Sequence, residues 1–242
     1  MYGFKTISAG DPLLETSPIM RSIDFLAAQF EENPKGIPLT KSKALRRALV
    51  ADAISSIQWP DWTESEIYNG FMPIKIADEY HFEPFCELRQ IMWEMGLFRH
   101  YKGHLRLTRA GKDLFENRYK SFDAITQNMV FEKDHFEYHR LNRGIAGTWD
   151  IWLNVIDMEA QSGVSGKELT KVLYGPDPNG NIFDPRTSAL YDGVLKPLVW
   201  AGLLQENREL GRKLTERVYT TTPLWHRYLK LDVKKPRLHV VH

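Results

Sequence analysis

The chain has a single cysteine, Cys86, among 242 residues. That excludes an intramolecular disulfide and any metal site built from cysteines, and it fits a reducing compartment. An excess of either charge is also missing: 32 Lys and Arg face 31 Asp and Glu, for a net +1 at neutral pH. A polyanion partner is therefore not written into the total, and a nucleic-acid surface would have to come from local segregation of charge. No stretch approaches the roughly 20 apolar residues of a membrane helix. The first residues, Met1-Tyr2-Gly3-Phe4-Lys5, lack the basic head and apolar run of a signal peptide. The expectation is a cytoplasmic protein without membrane contact. There is no phosphate-cradling glycine loop, serine elbow or nicotinamide fingerprint. A non-enzymatic chain with no catalytic residue and no cofactor is expected.

What is present is core-forming material. Apolar residues make up 43%, with seven Trp, ten Tyr and twelve Phe, and the length suits one large domain or two small ones. Ser17-Pro18 opens a helix whose stripe is Ile19, Ile23, Leu26 and Phe30, and Asn33-Pro34-Lys35-Gly36 stops it. Ile37-Pro38-Leu39-Thr40 reads as an extended piece leading into a second helix over 41–56. A third helix spans 83–95, with Gly96 placed as its left-handed cap. Strand, tight turn at Gly103, and strand follow over 97–108, then helix from about Ala110. Helix, helix, helix, hairpin is the order of a winged helix, the hairpin being the wing.

The second half repeats the theme. Helices are expected over 149–158, over 164–173 with Ser165 as cap, and over 191–200, where Pro197 would delay or kink the helix. A wing-like stretch runs over 206–221 with Gly211 near its tip. Trp93-Glu94-Met95-Gly96-Leu97-Phe98 and Val199-Trp200-Ala201-Gly202-Leu203-Leu204 share one build, a repeat of about 106 positions. The expected architecture is mainly α (α+β): a winged-helix module over 1–120, a helical linker over 121–148, and a second module over 149–242 with a basic tail. The linker also suits a homodimer.

Two segments carry a resemblance. Ile37-Pro38-Leu39-Thr40-Lys41, Met95-Gly96-Leu97 and Lys102-Gly103-His104-Leu105-Arg106-Leu107-Thr108-Arg109-Ala110-Gly111 together resemble a winged-helix module of uncharacterised bacterial and plasmid-borne proteins. Pro197-Leu198-Val199-Trp200-Ala201-Gly202 resembles a later part of the same proteins. The likeness covers residues 18–118 well and 149–225 loosely, and it implies fold without implying an activity.

Winged helices mostly bind duplex DNA, with the third helix in the major groove and the wing on the backbone. The first wing suits this, because Arg99, Lys102, Arg106, Arg109 and Lys112 fall in a stretch without acids, and Lys41, Lys43, Arg46 and Arg47 add to them. A solvated basic hairpin fits the same residues. The third helix argues against groove entry: Asp78, Glu79, Glu83, Glu87 and Glu94 accompany a single Arg89. The second module offers Arg186, Thr187, Ser188, Tyr191 and Lys196 as a better base-reading helix, with Arg212 and Lys213 in its wing and Lys234, Lys235 and Arg237 in the tail. The leading expectation is a transcriptional regulator that contacts double-stranded DNA through its wings. The alternative is a winged-helix adaptor for a protein partner, bound through the acidic third helix.

Other candidates are weaker. His135 and His139 stand at i and i+4, as a helical zinc pair would, but no third ligand accompanies them. The run from Asp177 to Asp184 alternates oxygen donors yet lacks the glycine and glutamate of a calcium loop. No metal is expected. Cys86 and the aromatics Trp59, Trp62, Tyr68 and Phe71 read as packing residues.

Overall fold

A computed structural model describes residues 1–70, 72–135, 145–177, 179, 184–208 and 213–232. Strand β1 (Tyr2–Phe4) leads through a 3₁₀ turn to helix α1 (Pro18–Glu32). Ser17 caps α1, its hydroxyl accepting from the Met20 amide at 3.3 Å, and Ile19, Met20, Ile23 and Leu26 form its buried side. Strand β2 (Ile37–Pro38), α2 (Arg47–Ile57), α3 (Glu64–Asn69), α4 (Glu83–Glu94), β3 (Phe98–Tyr101) and β4 (His104–Leu107) follow. Next come α5 (Arg109–Phe115) and α6 (Arg118–Thr126), the latter continuing as a π turn over Gln127–Glu132. The second half holds α7 (Trp149–Glu159), β5 (Val164–Ser165), α8 (Gly166–Tyr174), α9 (Pro185–Leu190) and α10 (Lys196–Trp200). It ends with β6 (Leu204–Asn207), β7 (Val218–Thr221), α11 (Pro223–Tyr228) and β8 (Leu229–Leu231).

The fold is α+β with small antiparallel sheets. In each half the short first strand pairs with the last strand of the hairpin, giving the orders β2-β4-β3 and β5-β7-β6. The repeat seen in the sequence is structural. Gly96 and Gly202 both adopt positive φ, 71° and 76°. Each is followed by a residue whose amide reaches back into the helix, Leu97 to Met92 and Leu203 to Leu198. In both halves a threonine hydroxyl then closes the corner, Thr108 to the Gly96 carbonyl at 2.8 Å and Thr222 to the Gly202 carbonyl at 2.7 Å.

The two glycines differ in surroundings. A Cβ on Gly202 would lie 2.7 Å from the Ser17 Cα, whereas one on Gly96 would meet nothing within 4 Å. Gly96→Ala is expected to cost only the left-handed penalty of about 1–2 kcal/mol. Gly202→Ala adds a clash with α1's N-terminus, worth roughly a further 1–3 kcal/mol. Urea denaturation of the two variants checks this, and equal losses would contradict the close approach.

Several expected boundaries change. Residues 41–46 are not helical: the Thr40 amide and hydroxyl close a loop on Ala44, Leu39 bridges Leu45, and α2 begins only at Arg47. Val164 and Ser165 pair with β7 before Ser165 caps α8 through a box with Glu168. The third helix of the second half starts six residues earlier than expected, with Asp184 capping α9. Pro197 has no amide to donate, and a π turn over Tyr191–Leu195, where the Lys196 amide bonds to the Tyr191 carbonyl, carries the helix past it. The helix after α6 ends at Glu132, short of 145.

One core runs through both halves. The Trp200 indole donates to both oxygens of buried Asp61, at 3.1 and 2.9 Å, and stands edge-on to Trp59 with ring centroids 5.8 Å apart. Arg208 pairs with Glu66 at 2.6 Å. Strands β1 and β8 pair antiparallel, tying the two ends of the described chain together.

Candidate nucleic-acid interface

The hairpin β3–β4 owes its geometry to a two-residue turn in which Lys102 and Gly103 have φ of 48° and 76°, the sign that matches strand twist. Alternation then sorts the side chains. Phe98, Leu105 and Leu107 pack inward, and His100 lies against Trp93 with centroids 4.1 Å apart. Burial lowers the His100 proton affinity, helped by Arg89 and Lys43, so the imidazole is neutral at pH 7. The other face carries Arg99 opposite Arg106 and Tyr101 opposite His104. The Arg106, Lys102 and Arg99 cations lie 4.6, 5.4 and 5.7 Å from the centre of the Tyr101 ring.

The 40–46 loop is stitched to this hairpin. The Leu39 amide donates to the Gly103 carbonyl at 2.9 Å, which sets Lys41 and Lys43 beside the hairpin turn. From below, the Leu45 amide donates to Glu79 at 2.9 Å, and Glu79 is buried in a pair with Arg89. Part of the acidity expected to repel phosphate is thus consumed inside the fold. Arg46 is the N-cap residue of α2, without a side-chain cap, and Arg47 is the first helical residue. Cations here oppose the helix dipole and add to the positive potential at the start of α2.

Seven of the predicted cations, Lys41, Lys43, Arg46, Arg47, Arg99, Lys102 and Arg109, are exposed, and Arg106 is half-buried. Among the described residues none of these eight has an ion-pair partner. With a net +1 over the chain and these eight positive charges, the remainder carries a net charge of about −7.

The second half corrects the sequence reading. No residue of the 185–200 helix is exposed, and Ala189, Leu190, Val194, Leu195, Leu198, Val199 and Trp200 are core. Arg186 is held by Asp184 at 2.7 Å and by the Tyr174 and Gly175 carbonyls. Lys196 lies 3.8 Å from Glu83 and over the Trp200 ring at 5.0 Å. The polar residues of this helix, Arg186, Ser188, Tyr191, Asp192 and Lys196, are half-buried. Arg208 and Arg217 converge on the buried Glu206 carboxylate. Lys213 is exposed, while Arg212, Gly211 and the tail residues Lys234, Lys235 and Arg237 lie outside the described residues.

In α4 the fully exposed residues are Glu83, Gln90 and Glu94, and Glu87 pairs with Lys133 at 2.7 Å. The helical premise of the histidine pair fails at His135, which follows the end of the helix and bonds to the Met129 carbonyl at 2.8 Å; His139 lies outside the described residues. Among the described residues no three His, Cys, Asp or Glu side chains are grouped to hold a metal. In the calcium-like run, Asp177 accepts from the Asn179 amide and Asp184 caps α9, while 178 and 180–183 lie outside the described residues. Burial raises the Cys86 thiol's proton affinity and leaves it a poor nucleophile. Trp59 is core and Trp62 and Tyr68 pack against it; Phe71 lies outside the described residues. Among the described residues no helix is long and apolar enough to cross a membrane.

Residues 15–120 match the family model of the Y4jL N-terminal domain, and residues 139–223 match that of the y4jL C-terminal domain. A relative from Sinorhizobium fredii (strain NBRC 101917 / NGR234), the "Uncharacterized protein y4jL", is 28% identical over 192 residues, covering 76% of this chain and 86% of its own. No solved structure matches. Through both domain matches and this relative, the chain is similar along most of its length to the two-domain y4jL proteins.

Proposed function

We propose that the two halves are winged helices and that the protein is a non-catalytic binder of duplex DNA, gripping the phosphate backbone with the hairpin and 40–47 loop of the first. The observation that carries this reading is the set of eight cations without a carboxylate partner among the described residues, seven gathered on two stitched segments and Arg109 at the start of α5. Elsewhere among the described residues Arg89, Arg118, Lys133, Arg186, Lys196, Arg208, Arg217 and Arg227 are ion-paired, while Lys35, Lys75, Lys112, Lys120, Lys167, Lys171 and Lys213 are exposed without an ion pair but lie outside these two segments. Unpaired cations repel one another, and phosphates relieve that repulsion while releasing their counterions. The order of elements in each half, with the first strand closing the sheet beside the hairpin, supports the winged-helix assignment.

The test is fluorescence anisotropy with a random duplex between about 50 and 200 mM salt. Three lysine–phosphate contacts, from Lys41, Lys43 and Lys102, give a log–log slope of about −2.7 or steeper, at roughly −0.9 per contact. Absence of binding at the low salt, or a flat slope, would end the proposal. A protein-adaptor reading has one observation in its favour, the exposure of Met72, Ile76 and Tyr80 at 78%, 61% and 80% in the segment leading to α4. A stable partner recovered with the wild type and lost on Ile76→Asp would favour it.

A further inference from the structure

Resting on the duplex-DNA reading, we infer that the base-reading element is the β3–β4 hairpin, its outward face entering the major groove, in place of either third helix. The helices are excluded first. The cations of the half-buried 185–200 helix, Arg186 and Lys196, are already engaged by carboxylates, and α4 exposes two glutamates and Gln90, so groove entry would bring carboxylates against phosphate. The hairpin presents the opposite chemistry. Its outward face carries a cross-strand Arg99–Arg106 pair and, one step toward the turn, Tyr101 and His104. With β2 paired beside β4 and the Leu39 amide bonded to Gly103, the hairpin is part of a three-stranded sheet. Strands lie about 4.8 Å apart, so its outward face spans about 10 Å against a major groove about 12 Å wide.

Arginine is the side chain suited to guanine, whose O6 and N7 accept both arms of its fork. The two guanidiniums here are pre-placed, with Tyr101 under both at 5.7 and 4.6 Å and no carboxylate competing for either. Less side-chain freedom is then lost when a base edge is engaged. The loop lysines beside the turn are left for the phosphates on the groove's rim, so backbone grip and base reading divide between neighbouring segments.

A probe exists that needs no known target sequence. A GC-rich duplex of about 20 base pairs is compared with the same duplex carrying 7-deazaguanine throughout, which deletes the N7 acceptor and leaves the backbone charge intact. The wild type is expected to bind the modified duplex about tenfold more weakly. Arg99→Ala/Arg106→Ala removes both donors, so it should bind the two duplexes alike while the loop lysines keep a salt-dependent grip. Equal wild-type affinity for both duplexes, with the steep salt dependence retained, would overturn hairpin base reading and leave backbone binding standing. Discrimination retained in the double alanine variant would overturn the assignment to these arginines. No binding to either duplex at about 50 mM salt would end the duplex-DNA reading itself.

Discussion

Exchanging Lys41→Gln, Lys43→Asn and Lys102→Asn together is expected to weaken binding to a random duplex about a hundredfold or more and to flatten its salt slope by about 2.7. The magnitude follows from three lost charge-assisted contacts at somewhat over 1 kcal/mol each. Asparagine is chosen for two positions because Lys43 and Lys102 have φ of 66° and 48°, and asparagine tolerates that region better than alanine. All three lysines are exposed and without ion pairs, so the fold should survive, and an unchanged urea midpoint checks that it does. The control is Lys167→Gln/Lys171→Gln, which removes two exposed lysines from α8 of the second half and should change affinity less than about threefold. An equal loss from the control would mean that the charge of the whole protein, not this face, governs binding. A triple variant that binds like the wild type would contradict the assignment directly.

The second large effect concerns the joint between the halves. Asp61 is 9% exposed, and burial pushes its carboxyl up to about 6 although the Trp200 indole bonds to it; nearby Glu206 pushes the same way and Arg208 opposes. The native state therefore holds this proton more tightly than the unfolded chain does, and the sign of the linkage follows. Asp61's contribution is fully present below about pH 4, is lost as pH rises through about 6, and leaves a destabilising buried charge at pH 7. The difference of about two pH units corresponds to roughly 3 kcal/mol. Asp61→Asn removes the charge and keeps an oxygen for the indole. It is expected to stabilise the protein by up to about 3 kcal/mol at pH 7 and by little at pH 4. Urea denaturation at the two pH values measures this. A variant less stable than the wild type at pH 7 would show that the ionised carboxylate is worth more to Trp200 than its burial costs.

The local signals in the sequence were reliable where a single residue has a single physical job. Ser17, Ser165 and Gly96 cap their helices as their types suggest, and the hairpin turn at Gly103 is set by backbone sterics. The basic hairpin was legible for the same reason, since strand alternation alone sorts Arg99 and Arg106 to one face. What was not legible depends on distance along the chain. Asp61 and Trp200 stand 139 positions apart, and β1 meets β8 across nearly the whole described chain. Nothing local announces either. One signal was present in the sequence: Leu190, Val194, Leu195, Leu198, Val199 and Trp200 give that helix a broad apolar face, leaving only the narrow polar stripe of Ser188, Asp192 and Lys196. Arg186 and Lys196 drew attention as free cations when each is tied to a neighbouring carboxylate.

The most direct test of where this molecule binds is lysine acetylation followed by mass spectrometry, with and without excess random duplex at about 50 mM salt. Protection of Lys41, Lys43 and Lys102 by the duplex is expected, with Lys167 and Lys171 reacting as before. Protection confined to Lys167, Lys171 or Lys213, with the three first-module lysines still open to reagent, would contradict it.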